Sequence, residues 1–63
     1  MDIYAVASCM GKILTIDNKR YEIYGADVGF NQCFFAVNLD SEPIDGNIYQ
    51  SLDCVRIKFK EAL

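Results

Sequence analysis

Histidine is missing from this chain of 63 residues, and that absence removes several kinds of chemistry. A serine or cysteine nucleophile would lack its usual base, so neither type of acyl-transfer site is expected. A metal site would have to be built from cysteines or carboxylates alone. The three cysteines, Cys9, Cys33 and Cys54, lie on apolar stretches and lack CxxC spacing. Their odd number argues against a disulfide framework. All three are expected to be reduced core thiols, mostly inaccessible, as in a cytosolic protein. There is no glycine-rich phosphate loop. Paired carboxylates need a concave, water-poor pocket to separate their pKa values, and so short a chain has little volume for one. Asp40-Ser41-Glu42-Pro43-Ile44-Asp45-Gly46-Asn47 offers oxygen ligands but misses the EF-hand spacing. The expectation is no enzyme, no catalytic residue, no cofactor and no metal.

A targeting or membrane-spanning segment is also missing. Val6-Ala7-Ser8-Cys9 resembles a lipoprotein cleavage box. Asp2 stands where a basic n-region belongs, however, and the stretch is too short for a signal core. With Met1 at its start, the chain reads as an intact cytoplasmic protein.

What the chain does have is apolar surface. Hydrophobic residues make up 52% of it, enough for a full core with some surface left for a partner. One small β domain over residues 1–63 is expected. A domain of this size buries only about 60% of its unfolded surface, so a homo-oligomer is a natural way to gain stability.

Residues 33–39, Cys-Phe-Phe-Ala-Val-Asn-Leu, are the least polar run. A short apolar, β-branched and aromatic run bounded by turn residues predicts a strand buried on both faces. Weak alternation over residues 2–10 predicts a first strand. Residues 13–24 predict a hairpin about Asp17-Asn18-Lys19, with Asn18 taking positive φ. Residues 25–32 predict a loop. It carries Phe30, which either folds back as a lid on the core or stands out as an anchor for a partner. Pro43 and the four-residue spacing of Ile44, Ile48 and Leu52 predict a short helical turn near residues 43–51. Val55, Ile57 and Phe59 alternate with Arg56, Lys58 and Lys60, which predicts a half-buried edge strand with a basic outer face. The sum is an all-β or mostly β fold, a five-stranded antiparallel meander curled into an SH3-like or partly open barrel.

Charge is unevenly placed. Between residues 21 and 55 lie six acids (Glu22, Asp27, Asp40, Glu42, Asp45 and Asp53) and no lysine or arginine. Loops at one end of a small barrel often come close, so Asp27, Phe30, Asp40, Glu42, Asp45 and Tyr49 are the candidate partner-binding residues. An acidic patch with aromatic anchors favours a basic protein surface. By analogy of size and charge, phage and mobile-element inhibitors supply the expected function. This is a small acidic interaction protein that binds and inhibits or modulates a basic partner, such as a nucleic-acid-handling protein. The alternatives are a small-barrel nucleic-acid-binding domain using Lys12, Arg56, Lys58 and Lys60, or an accessory subunit of an oligomer. A net charge of −3 opposes phosphate binding, so nucleic acid is not the expected partner, and neither is a membrane.

Overall fold

The computed structural model describes residues 2–42, 45–47 and 53–62. Among these residues the order is α1 (Ile3–Ser8), β1 (Ile13–Ile16), β2 (Lys19–Asp27), β3 (Cys33–Asn38), β4 (Cys54–Lys58) and α2 (Phe59–Ala62). The strands form one antiparallel sheet in sequence order, β1-β2-β3-β4, curled into a half-barrel. The predicted mostly β antiparallel meander is therefore present, with four strands among the described residues. The helical turn expected near residues 43–51 lies outside the described residues, apart from residues 45–47, where Asp45 and Gly46 form a turn.

The β1–β2 turn forms as the sequence predicts. Asp17 and Asn18 both take positive φ, 52° and 66°, between the paired Ile16 and Lys19. Two such residues make the turn whose twist matches that of the flanking strands. β2 then runs to Asp27, through residues expected to be a loop. The pairing register shifts between Ile23 and Gly25, so Tyr24 bulges out and the strand continues. A Cβ on Gly25 would sit 3.4 Å from the Phe35 ring, its cross-strand neighbour, so the missing side chain lets that ring lie over the backbone.

The first predicted strand is instead helix α1. The side chain of Asp2 accepts the N–H of Tyr4 at 2.9 Å and caps it, and Ala5 and Ala7 favour helix over strand. Gly11, at φ 82°, turns the chain into β1. Only Val6 on α1 is buried, and it reaches the core together with Cys9 three residues on. This i, i+3 spacing on a helix accounts for the weak apolar pattern of the segment. The last strand is also shorter than predicted. It stops at Lys58, and Phe59 opens α2 with its N–H on the Gln32 carbonyl at 3.1 Å.

The core lies on the inner face of the sheet, closed by the two helices. Tyr21, Ile23, Phe34, Ala36 and Ile57 meet Val6, Cys9 and Phe59 there. Phe34 is fully buried and packs edge-to-face on Phe59, ring centroids 4.7 Å apart. That geometry adds about 0.5–1.5 kcal/mol to the burial of the two rings. On the other face Val37 and Cys33 are buried and Phe35 is half-buried. β3 is thus covered on both sides, as its composition requires.

Ile57→Ala is expected to cost about 2–5 kcal/mol, a large part of the stability of so small a domain. Urea unfolding followed by circular dichroism measures it. A midpoint equal to that of the wild type would show that Ile57 does not face the core.

Candidate functional site

Among the described residues the most exposed large apolar side chain sits at the tip of the β2–β3 hairpin: Phe30, 94% accessible. The lid alternative fails, because the loop holds the ring away from the core. Asp27, at the end of β2, latches the loop. Its Oδ1 accepts the N–H groups of Gly29 (3.1 Å) and Phe30 (3.2 Å), and its Oδ2 accepts the N–H (3.3 Å) and Nδ2 (3.1 Å) of Asn31. An aspartate bonding to its own backbone two residues on is the usual device of a tight turn, and here the donors run on to Asn31. Partial burial raises the Asp27 carboxyl, but the bonds from Asn31, Gly29 and Phe30 together outweigh it and hold the group below the usual carboxylate range. Gln32, at φ 51°, returns the chain to β3, and its carbonyl is tied to Phe59. Val28, also exposed, shares the tip.

Bases, not acids, flank this tip. Lys58 pairs with Cys33, the first residue after the loop. Asn31, Gln32, Lys58, Phe59 and Lys60 line a shallow cleft of about 300 Å³ beside it. Arg56 lies further along β4, its guanidinium over the Phe35 ring at 5.7 Å. Lys12 belongs to the α1–β1 connection, where its carbonyl accepts the N–H of Ile23.

Asp40 and Asp53 lie at the other end of the sheet. Asp40 follows β3 and pairs with Arg20 at 3.2 Å, with both side chains well exposed. Such a pair contributes about 0–1 kcal/mol. Arg20 and Asp27 sit seven residues apart on β2, roughly 20 Å at the usual strand rise. The expected joining of the Asp27–Phe30 loop to Asp40 is therefore not formed. Successive loops of an antiparallel meander alternate between the two ends of the sheet, so the loops before and after β3 cannot meet. Glu42 and Asp45 are exposed. Tyr49 lies outside the described residues.

Near Asp40 the interior carries a polar network. Asn38, buried, donates from Nδ2 to Asp53 Oδ2 at 2.7 Å and accepts the N–H of Asp40 at 2.9 Å. The Tyr21 hydroxyl donates to Asp53 Oδ1 at 3.3 Å. Burial, then the charge of Asp53 and that hydrogen bond, raises the Tyr21 phenol. Every group here has a structural partner, so the cluster reads as a fastening between β2, β3 and β4 and not as a reactive centre.

The thiols divide in a way the sequence did not predict. Cys9 and Cys33 are buried, but Cys54 is exposed. It falls on the outer face because alternation from inward Val55 turns it away from the core. Burial, then the neighbouring Cys54, raises the Tyr24 phenol. What sequence reasoning missed was the latch. The spacing Asp27-x-Gly29-x-Asn31 was legible as a self-bonded turn, and it removes Asp27 from the acids available to a partner.

Compared with protein-family models, curated proteins and solved structures, the chain matches none of them. Among the described residues no helix is long and apolar enough to cross a membrane.

Two outcomes check this geometry. With a maleimide on the native protein, Cys54 should label rapidly, while Cys9 and Cys33 should label only after denaturation; fast reaction of all three would contradict the packing. Asp27 has a lowered folded pKa, so its ordering of the loop is complete above the unfolded aspartate value, about 3.9. It is lost as pH falls through the folded value. The Gly29, Phe30 and Asn31 amides should therefore lose hydrogen-exchange protection below that range, and Asp27→Ala should lose it at neutral pH.

Proposed function

We propose that the chain is a small interaction protein, not an enzyme, that docks on a protein partner through the β2–β3 tip and modulates it by occupying its site. The observation that carries this reading is Phe30, 94% exposed on a loop whose backbone is already fixed by Asp27. Leaving such a ring in water forgoes about 1.5–3 kcal/mol of burial. A loop ordered before binding also lowers the entropic cost of association. Aromatic anchors in fitted pockets carry most of the energy in many interfaces.

The partner in this reading is basic overall. A net charge of −3, with Asp17, Asp40, Glu42 and Asp45 exposed, draws such a protein at long range. The acids then steer while Phe30 holds. Inhibition of a nucleic-acid-handling protein is one form that this binding would take.

One observation favours a second reading. Phe30 shares its end of the sheet with Lys58 and Lys60, and an aromatic face beside bases is the arrangement used to stack single-stranded nucleic acid.

Tagged wild-type and Phe30→Ala proteins, used as baits in lysate of the native cell with and without nuclease, separate the two. The expected result is a protein prey, nuclease-resistant, held about 30-fold more weakly by Phe30→Ala, the factor that corresponds to a 2 kcal/mol anchor. Neutralising Asp40, Glu42 and Asp45 together should slow capture and flatten its salt dependence. Equal capture by both baits defeats the Phe30 reading. Nuclease-sensitive capture lost on changing Lys58 and Lys60 selects the second.

A further inference from the structure

Among the described residues the half-barrel is open between its two outermost strands, β1 and β4. A groove of about 480 Å³ lies there, with Leu14 and Ile16 of β1 and Val55 and Ile57 of β4 in its walls and Glu61 of α2 at its end. Leu14, Ile16 and Val55 are only partly buried and rest on the core. We propose that this groove is a strand-addition site, which takes an extended segment of a partner protein along β4 in which acidic and apolar residues alternate. The proposal does not rest on the role given to Phe30.

The register of β4 dictates that pattern. Ile57 and Val55 pair with Phe34 and Ala36 and point inward, so Arg56 and Lys58 point to the outer face. In an antiparallel pair, directly opposite residues share a face and their side chains interact. A segment laid along residues 55–58 would therefore place apolar side chains beside Val55 and Ile57, within the groove. Its alternate residues would stand beside Arg56 and Lys58, and there an acid is favoured. Main-chain hydrogen bonds supply affinity in this mode, and the alternating side chains supply choice.

Edge strands are commonly shielded by their own long charged side chains. Here Arg56 is drawn back over its cross-strand partner Phe35, 5.7 Å from the ring centroid. That contact draws the guanidinium toward β3 on the outer face, while Arg56 still lines the groove, within reach of an acid on an added strand. A second copy of the chain fits poorly, because β4 laid antiparallel on another β4 about Arg56 sets Arg56 against Arg56. β1 has no charged residue between Ile13 and Ile16 but is a residue shorter, so β4 is the longer template.

The test uses a synthetic Glu/Val-alternating peptide, N-methylated along one edge so that it cannot stack on itself, and a Lys/Val peptide of the same length. Both are titrated into isotopically labelled full-length protein and followed through backbone amide shifts. The expected result is saturable binding of the Glu/Val peptide alone, with shifts centred on residues 55–58 and the groove wall of β1. Lys58→Glu, at an exposed position, should weaken it, and Arg56→Glu with Lys58→Glu should reverse the preference by about tenfold in each direction. Phe30→Ala should bind as the wild type does, which separates failure here from failure of the hairpin-tip reading. The proposal is overturned if neither peptide saturates at millimolar concentration or if the charge swap leaves the preference unchanged. It is also overturned if the shifts map elsewhere, if sedimentation shows the edge filled by a second copy, or if a single-stranded oligonucleotide alone binds there.

Discussion

β3 has almost no side chain that water would solvate well, and the rest of the fold follows from covering it. Phe34 and Ala36 on one face and Val37 and Cys33 on the other are all buried. Strands on either side satisfy its backbone, but a sheet covers only edges, so its faces need other elements. The inner face is closed by two short helices, and each contributes little more than one or two core side chains, Val6 with Cys9 and Phe59. Neither helix is long enough to be stable by itself. They exist because Phe34 needs contacts that β2 and β4 cannot make, and the Phe34–Phe59 ring pair is where that need is met.

So small a core leaves many apolar side chains outside. Ile3 and Tyr4, 60% and 83% exposed, lie on α1, whose single turn and a half can bury only one side. Phe30 is a different case. It is held out by a carboxylate that spends its hydrogen bonds on the loop, so its exposure is fixed by Asp27 and does not follow merely from a lack of room. The same bonds lower the value of Asp27 as an attractive charge for a partner. The meander topology also separates the ends, with the aromatic tip near Lys58 and Lys60 and the exposed acids near Asp40. The open seam between β1 and β4 adds a third exposed feature, along the side of the sheet.

The sequence alone determined the mostly β character, the β1–β2 hairpin with its Asp17-Asn18 turn, the doubly covered β3 and the inward residues Ile57 and Phe59. Those features depend on neighbours in the chain: alternation, turn chemistry and an apolar run of fixed length. The helix at residues 3–8 was also within reach, since Asp2, the two alanines and Gly11 mark both ends, but weak alternation over so few residues fits either period. Tertiary structure alone decided the bulge at Tyr24 that carries β2 to Asp27, because it depends on the Phe35 ring seeking the bare backbone of Gly25. It alone decided that Cys54 faces out while Cys9 and Cys33 face in. And it alone decided which charges stand together, since residues close in sequence on either side of β3 are held roughly a strand's length apart, while Cys33 and Lys58, far apart in the chain, meet through pairing and bring Lys58 to the end of the sheet that carries Phe30.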